Sequence, residues 1–482
     1  MKVLMASSEF APLAQAGNLG ENVRTLTLEL KQLGHDISAV IPFYRSISEN
    51  RYQIESTGIQ FQVPLGDKRV SGEILTTKTA EGISVFLVRR DEYFDRSGIY
   101  SGQDRPYEDN SERFIFFAKA VLELVKRTTP SIDILHCHDW PPALLPVLVQ
   151  EHRVPVRTVL TIHNLEYQGS FWSFDFGLTN LPGSVFGARG VEFYGRLNFL
   201  KGGILFADAI TLPGEPALHE AFAPEHGFGL DRVLLENSAR AVGIPFGFDY
   251  PTICPPFERL LPKRPKSEGP VGKAACRQAV LNQLGLDTED AGPMVALPIH
   301  NREEAAVTVI SPILDRLLTT DSRLVILGPV PDKHAAAILE AERKYPGRLS
   351  VDRQDDRKLR TLVLAAADLV LFPGSLGQFA ETAIIALRYG SLPIVLWRGG
   401  LRQIVTDFEP ISDTGCGFVY YRDTPDALWD SLQRAFWVRS SPESWDRLKH
   451  RAESLDFSWV HSAKEFATLY ANLLRHRQAV SA

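Results

Sequence analysis

Short apolar runs alternate with helical patterns along most of the chain. Residues 2–7 form one such run, and Leu26, Leu30 and Leu33 then follow at helical spacing. Residues 36–42 predict a second strand. This order of strand, loop, helix and strand is typical of an open parallel sheet. Similar apolar runs recur in the first half at 133–137, 157–162 and 207–212.

A proline-rich stretch interrupts this alternation near the middle of the chain. Seven prolines fall there without sustained periodicity: Pro245, Pro251, Pro255, Pro256, Pro262, Pro265 and Pro270. We predict an interdomain linker over 247–272. Strand-like runs resume at 294–297, 323–327, 368–372 and 393–397. The pattern therefore predicts an α/β protein with two doubly wound, Rossmann-like domains whose strand ends face a shared cleft.

The composition agrees with two large domains. The chain has 482 residues, 44% of them hydrophobic and 23% charged, which suits two cores of roughly 200 residues each. A formal net charge of -6 gives no attraction to nucleic acid or anionic lipid. The apolar start is too short for a signal peptide or a membrane span, and four cysteines without C-x-x-C spacing suit a reducing compartment. We therefore expect a cytoplasmic protein with no nucleic-acid or membrane partner.

Polar residues follow two of the predicted strands at the points where these strands end. His138 and Asp139 close the run at 133–137, and His163 follows the run at 157–162. The carboxyl ends of neighbouring parallel strands usually form the ligand crevice of such a sheet. The sequence therefore predicts a shared polar site at these two ends.

Plainer interpretations of the same residues stay open. Asp139 is equally well explained as the N-cap of a helix that opens at Pro141-Pro142. A lone histidine beyond a strand is more often structural than catalytic. We reject a metal site at His136 and His138, because no third ligand is evident.

Many short segments of this sequence match those of bacterial glycogen synthases and plant starch synthases. They are Ser7-Ser8-Glu9, Tyr93-Phe94-Asp95-Arg96, Asn110 to Phe114, His138-Asp139-Trp140, Thr161 to Gly169, Glu192-Phe193-Tyr194-Gly195, Asn198-Phe199-Leu200-Lys201, Gly227 to Asp231, Ala386 to Gly390, Gly399-Gly400-Leu401 and Asp456-Phe457-Ser458-Trp459. Through these motifs, which extend nearly from end to end, the chain resembles this family of glucosyltransferases with the GT-B fold.

The resemblance implies an activity and a domain organisation. The activity is transfer of glucose from ADP-glucose to the 4-hydroxyl of an α-1,4-glucan, with retention of configuration and with no metal or other cofactor. The organisation is an N-terminal domain over 1–246, a linker over 247–272 and a C-terminal donor domain over 273–457. The last helix, within 458–482, folds back onto the N-terminal domain, which would cover the apolar face that carries Phe466 and Tyr470.

The resemblance also assigns roles to individual positions. The catalytic set is His163 and Asp139, with Gly377 at the position of the family's glutamate. The glucan-binding set is Glu9, Tyr93, His138, Trp140, Asn164 and Tyr167. The donor-binding set is Gly17, Gly20, His300, Arg302, Gly374, Gly377, Gly400 and Leu401.

Several charged residues of the family pattern are replaced in this chain. The family's Lys-Thr-Gly-Gly-Leu-Gly loop loses its lysine to Gln15. His300 stands at the position of the family's arginine, Ala305 at that of its lysine and Gly377 at that of its glutamate. Phe246 replaces a polar but uncharged residue of the family, an asparagine. Cleavage of a sugar from ADP without a metal needs fixed positive groups. Joint loss of these charges should leave little turnover.

Three functional hypotheses follow. The preferred one is a non-catalytic or weakly active homologue that binds glycogen or maltooligosaccharides, with other enzymes of glycogen metabolism as further candidate partners. The second is an active ADP-glucose:α-1,4-glucan 4-α-glucosyltransferase, in which His300 as a cation, Arg302, or the backbone amides of Gly374 and Gly377 replace the missing charge. The third is a scaffold that binds neither sugar nor nucleotide.

Overall fold

The structure is a computed structural model that describes most of the chain in two compact units. Described are residues 1–47, 52–102, 105–128, 130–250, 254, 261, 271–288, 292–299, 304–354, 356–373 and 380–481. The first unit is Met1–Gly247 with Trp459–Ala482, and the second is Phe248–Ser458. Most of the predicted linker, 247–272, lies outside the described residues.

The first unit is built on a large, mainly parallel sheet. Its strands are β1 (Lys2–Ala6), β2 (Asp36–Pro42), β3 (Glu55–Leu65), β4 (Lys68–Lys78), β5 (Ser84–Arg89), β6 (Ile134–His138), β7 (Arg157–Thr161), β8 (Ser170–Trp172), β9 (Glu192–Phe193), β10 (Arg196–Asn198), β11 (Ala209–Pro213) and β12 (Ala241–Ile244). Within the described residues, nine of these strands follow the order β12-β11-β7-β6-β1-β2-β5-β4-β3. The strands β8, β10 and β9 form a separate small antiparallel sheet.

The burial patterns of the strands explain their places in the sheet. β6 is buried at every residue, as expected for a parallel strand covered on both faces. β3 instead alternates, with Phe61, Val63 and Leu65 buried between exposed residues, and it pairs antiparallel with β4. Gly66 has a φ of 61° in the two-residue turn between them, a conformation that glycine adopts without strain.

Helices cover the sheet of the first unit. They are α1 (Leu19–Gln32), α2 (Asp91–Phe94), α3 (Asn110–Arg127), α4 (Leu145–Glu151), α5 (Phe176–Thr179), α6 (Phe199–Phe206), α7 (Glu215–Ala221) and α8 (Asp231–Glu236). In α3, Phe114, Phe116 and Phe117 are fully buried, so this helix supplies much of the core beneath β3 and β4.

The second unit carries a smaller parallel sheet. Its strands are β13 (Met294–Pro298), β14 (Arg323–Leu327), β15 (Leu349–Asp352), β16 (Leu369–Phe372), β17 (Leu392–Leu396) and β18 (Phe418–Tyr420). Across the described part of this unit they follow the order β15-β14-β13-β16-β17-β18, and all neighbours are parallel. Its helices are α9 (Val271–Leu284), α10 (Glu304–Ile310), α11 (Leu314–Leu318), α12 (Asp332–Lys344), α13 (Arg357–Ala366), α14 (Ala380–Arg388), α15 (Leu401–Ile404), α16 (Pro425–Arg439) and α17 (Pro442–Glu453).

The C-terminal helix α18 (Trp459–Ser481) belongs to the core of the first unit. Phe466 and Tyr470 are fully buried there. The Tyr470 hydroxyl lies 2.7 Å from Nδ1 of His136, whose Nε2 lies 2.5 Å from Oγ1 of Thr161. Both ring nitrogens of a buried histidine are thus hydrogen-bonded, one of them to this helix. None of the helices in the described parts of the chain is long and apolar enough to cross a membrane.

The Tyr470 hydrogen bond leads to a stability prediction. Tyr470→Phe removes the hydroxyl and leaves Nδ1 of His136 buried without its partner, which costs about 1–3 kcal/mol of unfolding free energy. Urea unfolding followed by circular dichroism measures this loss. The matched control is Tyr194→Phe, at a side chain that is 83% exposed, for which a change within about 0.5 kcal/mol is expected. Equal losses in both variants would contradict the assigned role.

Candidate functional site

Three of the predicted site residues of the first unit lie at the point where the strand order of its sheet reverses. β1 and β6 are parallel neighbours at the centre of the sheet, with β2 next to β1 and β7 next to β6 on the outer sides. The carboxyl ends of two strands at such a switch point enclose a crevice. Glu9 lies shortly after β1, and His138 with Asp139 lies at the end of β6.

Glu9 is a buried carboxylate that holds a loop and a tyrosine. Its Oε2 accepts hydrogen bonds from the backbone N–H groups of Ala16 (2.7 Å) and Gly17 (3.1 Å). Its Oε1 accepts from the hydroxyl of Tyr100 at 2.7 Å. Since Glu9 is only 3% exposed and engages three donors, the structure gives it a positioning role for the loop that carries Gln15 and Gly17.

The loop that carries Gln15 and Gly17 has open space at Gly17, whereas the backbone at Gly20 is closely packed. A Cβ at Gly20 would approach Ala14 O to 3.1 Å and Ala11 N to 3.2 Å, whereas a Cβ at Gly17 would meet nothing within 4 Å. Gln15 is exposed, and its Nε2 donates to Gly17 O at 3.0 Å. Position 15 therefore presents a neutral amide at the surface of this loop.

Two histidines meet at the ends of β6 and β7. Nδ1 of His138 lies 3.2 Å from Nε2 of His163, and the His163 ring packs against Phe246, tilted by 43° with centroids 4.7 Å apart. His138 is 1% exposed. The two remaining ring nitrogens, Nε2 of His138 and Nδ1 of His163, are buried without a hydrogen-bond partner among the described residues.

Burial makes these histidines uncharged at neutral pH. Loss of solvation lowers the pKa of His163 to about 3 and holds the pKa of His138 well below 6.5, with smaller contributions from the neighbouring imidazoles. The same cause lowers the pKa of His136 to about 3. A neutral imidazole donates or accepts a hydrogen bond but adds no positive charge.

Asp139 connects the two strand ends through the backbone. Its Oδ1 accepts from the N–H groups of His163 (2.7 Å) and Asn164 (3.4 Å), and its φ of 61° lies in the left-handed region. Burial raises the pKa of its carboxyl to about 7. The helix N-cap interpretation of Asp139 is wrong, because α4 begins at Leu145 with Leu144 as its N-cap.

Aromatic side chains extend away from this polar group. The ring of Trp140 lies 4.9 Å from Phe114 and 5.6 Å from Phe171, centroid to centroid. Tyr100 lies 6.1 Å from Trp140 on the other side. Tyr167 is 61% exposed, and it is therefore available to a ligand.

Tyr93 and Asn164 make local contacts. The Tyr93 hydroxyl donates to Oε1 of Glu112 at 2.6 Å. Asn164 is exposed, and its Oδ1 accepts from the Glu166 N–H at 2.8 Å. Neither of these hydrogen bonds involves His138 or His163.

The nominated donor residues of the second unit are only partly described. His300, Arg302, Gly374 and Gly377 lie outside the described residues. Gly400 precedes α15, and Leu401 is fully buried in the core, so its side chain is a packing residue.

Sequence reasoning missed one contact of this site and one aromatic pair of the second unit. The hydroxyl of Tyr100 joins Glu9 to Oγ of Ser8, 2.7 Å away, and no motif pointed to it because its partners are remote in sequence. In the second unit, Trp397 lies 6.0 Å from the exposed Tyr421, a pair that only folding brings together. No group of three or more metal-ligating side chains occurs in the parts of the chain that the structure describes.

Comparisons with known proteins agree along the whole chain. A family model described as the starch synthase catalytic domain matches residues 2–236. Glycogen synthase 2 of Geobacter metallireducens is 33% identical over 486 residues, covering 99% of this chain and 100% of the relative. Glycogen synthase of Opitutus terrae is 31% identical, covering 98% of this chain and 100% of the relative.

Solved structures give the same assignment. The catalytic domain of starch synthase IV from Arabidopsis thaliana, bound to ADP and acarbose, superposes with a TM-score of 0.76 at 26% identity and covers 98% of this chain and 99% of that one. A sucrose-phosphate synthase from Thermosynechococcus elongatus shares the fold at a TM-score of 0.52 and 16% identity, covering 99% of this chain and 100% of that one. Together with the mainly parallel sheet of the first unit and the parallel sheet of the second, the likeness to starch synthase IV defines a glycosyltransferase of the GT-B fold. The chain belongs to the glycogen and starch synthase family, and the predicted fold class and family are confirmed.

The ionisation of the buried site predicts a specific dependence on pH. The histidines have folded pKa values below their unfolded value of 6.5, so their contribution to stability is present above pH 6.5 and is lost as the pH falls toward about 3. The contribution of Asp139 to stability depends on pH in the opposite direction, because the folded pKa of Asp139, about 7, exceeds its unfolded value of 3.8. Its contribution is fully present below pH 3.8 and is lost as the pH rises through 7.

Asp139→Asn should therefore remove only the second contribution. As the pH is lowered from 6.5 to 4, the unfolding free energy of the variant should fall more steeply than that of the wild type. The two slopes of unfolding free energy against pH should differ by the equivalent of about one bound proton per molecule. Urea unfolding at stepped pH measures both slopes. Asp67→Asn, at an exposed turn position, is the control and should follow the wild type. Parallel curves for wild type and Asp139→Asn would show that the carboxyl ionises normally.

Proposed function

We propose that this protein binds α-1,4-glucan and transfers little glucose from ADP-glucose. The observation that carries the proposal is the histidine pair at the ends of β6 and β7. Nδ1 of His138 lies 3.2 Å from Nε2 of His163, and the other ring nitrogen of each is buried without a hydrogen-bond partner among the described residues. Burial lowers the pKa of both rings, which favours their neutral form. Neutral donors and acceptors suit the hydroxyl groups of a sugar. They offer no charge to a diphosphate.

The argument against efficient turnover is electrostatic. Departure of ADP from a glucosyl group develops negative charge, which a metal-free enzyme stabilises with fixed positive groups. Gln15 presents a neutral amide on the exposed loop after β1, and the sequence places His300, Ala305 and Gly377 at charged positions of the family. Loss of one such group typically lowers kcat about a hundredfold to a thousandfold.

The argument for glucan binding is the aromatic surface beside the histidine pair. Trp140 is held between Phe114 and Phe171, and Tyr167 is exposed nearby in sequence. Pyranose rings carry faces of C–H groups that pack on aromatic side chains, while their hydroxyls need neutral polar partners. Glycogen or a maltooligosaccharide is therefore the proposed ligand, with no metal or other cofactor. Other enzymes of glycogen metabolism are proposed as partners on family resemblance alone.

An active glycogen synthase is the second candidate. It is supported by relatives that carry this name and match nearly the whole chain, and by the likeness to a starch synthase bound to ADP and acarbose. This candidate requires cations other than those of the family pattern, such as Arg302. It predicts ADP affinity and glucose incorporation, which the first candidate does not.

Two assays on the same preparation decide between these functions. We expect the wild type to cosediment with glycogen, and we expect incorporation of radiolabelled glucose from ADP-glucose into glycogen to stay at background. Glycogen synthase 2 of Geobacter metallireducens serves as the active control. Incorporation comparable to that control would establish the second candidate. Absence of glycogen binding would overturn the first and leave a scaffold that binds no sugar.

Restoring the family's charges tests the reason for low turnover. The combined variant Gln15→Lys, His300→Arg, Ala305→Lys and Gly377→Glu should raise incorporation at least about a hundredfold over the wild type. Glycogen cosedimentation and circular dichroism confirm that the variant is folded and binds glucan. A folded variant that binds glycogen but gains no activity would show that the missing charges do not explain the low rate.

A further inference from the structure

The large sheet of the first unit ends in one long edge strand, β3. It lies at the end of the strand order, and among the described strands it pairs with β4 alone. An edge strand presents a row of backbone N–H and C=O groups to which another strand can bind. The state of these groups therefore decides whether a second chain can extend this sheet.

The register with β4 identifies the backbone groups of β3 that face outward. Leu65 and Lys68 flank the two-residue turn as a hydrogen-bonded pair. Hydrogen-bonded and non-hydrogen-bonded pairs alternate along antiparallel strands. The backbone groups of Gln60, Gln62 and Pro64 therefore point away from β4. We refer to these three residues as the β3 edge.

Two side chains of helix α3 occupy carbonyl oxygens of the β3 edge. Nζ of Lys119 donates to the carbonyl oxygen of Pro64 at 2.6 Å, and Nη1 of Arg127 donates to that of Gln60 at 2.6 Å. Pro64 has no N–H group. In the described part of the chain, no side chain is bonded to the backbone of Gln62. A second strand would therefore find both a donor and an acceptor only at Gln62.

The ammonium group of Lys119 is fixed at this place by further contacts. Lys119 is 6% exposed, and its Nζ also donates to the carbonyl oxygen of Leu178 at 3.0 Å and to Oδ1 of Asn180 at 2.8 Å. Asn180 in turn bonds the β3–β4 turn, because its Oδ1 accepts from the N–H of Gly66 at 3.2 Å and its Nδ2 donates to the carbonyl oxygen of Gly66 at 2.9 Å. A strand that took the Pro64 carbonyl would leave a buried cation with one partner fewer, which is unfavourable.

The first part of β3 is irregular. Its register with β4 shifts between Ser56 and Ile59, and Gly58 has a φ of 75°. Such a bulge bends an edge strand and interrupts a regular ladder. Regular pairing with a second strand could therefore extend only over residues 59–65, which contain the β3 edge.

We propose that Pro64, Lys119 and Arg127 prevent the β3 edge from pairing with the same strand of a second copy of this chain. Two copies related by a twofold axis present identical antiparallel edges to each other. A pairing centred on Gln62 would set Gln60 of one copy opposite Pro64 of the other. The occupied carbonyl oxygens and the missing N–H group would then fall in the same hydrogen-bonded pairs, so this pairing would lose most of its ladder.

Sedimentation velocity on the full chain tests the inference. The combined variant Pro64→Thr, Lys119→Met and Arg127→Ala frees both carbonyl oxygens and adds an N–H group. Its weight-average mass should rise up to about twofold over that of the wild type as the protein concentration increases. Far-UV circular dichroism shows whether it is folded. If Lys119→Met impairs folding, the double variant Pro64→Thr and Arg127→Ala, at two exposed positions, should still associate more strongly than the wild type.

Lys126→Ala is the matched control for the loss of charge. Lys126 and Arg127 are both exposed on α3 and both donate to the carboxylate of Glu123, at 3.4 and 2.9 Å, while Arg127 also reaches β3. The control should sediment like the wild type at every concentration. Equal association in Lys126→Ala would assign the effect to charge alone and overturn the inference.

Adding Gln62→Pro to the associating variant locates the contact. It removes the outward N–H at the centre of the pairing, at an edge position where proline is tolerated, and it should restore the sedimentation of the wild type. Association that persists uses another surface and contradicts the inference. A folded variant that stays like the wild type at every concentration does so as well. A lower mass for Gln62→Pro alone than for the wild type would show that the β3 edge already pairs, and this would also overturn the inference.

Discussion

The first unit depends on enclosing uncharged polar groups at the centre of its sheet. β6 is buried at each residue, yet it carries His136 and His138. The hydroxyls of Tyr470 and Thr161 are hydrogen-bonded to the two ring nitrogens of His136, one as donor and one as acceptor, so the ring is accommodated without a charge. A buried imidazolium would lack the solvation that it needs. The same His136 ring is hydrogen-bonded to Tyr470 of helix α18. A contact between two uncharged side chains therefore helps to hold the C-terminal helix on the centre of the sheet.

This requirement also limits the chemistry of the strand ends. His163 follows β7 and lies against His138 and Phe246, where an aromatic neighbour reinforces the loss of solvation. The acidic groups are likewise engaged: Asp139 receives two backbone N–H groups, and Glu9 receives two more together with Tyr100. The polar groups of this edge mainly orient loops and present neutral hydrogen-bonding atoms to a ligand.

The strands and the family were predictable, and several contacts of the site were not. The strands at the sheet centres, such as β1 and β13, were predicted because fully buried parallel strands appear as unbroken apolar runs. The β3–β4 hairpin was not predicted, because its pattern is split between a buried and an exposed face. Motifs located His138 and His163 at strand ends, but their mutual contact depends on the register of β6 with β7. The Tyr470–His136 bond joins positions more than 300 residues apart, a separation that local patterns do not report.

Sugar binding and sugar transfer place different demands on this fold. Under the proposed function, glucan binding uses neutral hydrogen-bonding groups and aromatic faces, such as those of Tyr100, Trp140 and Phe171, and needs no fixed charge. Transfer depends on a few charges that act as a unit, so losing any of them removes most of the rate. The proposal therefore expects substitutions at positions such as 15 and 377 to lower turnover while the buried core and the strand-end histidines are unaffected.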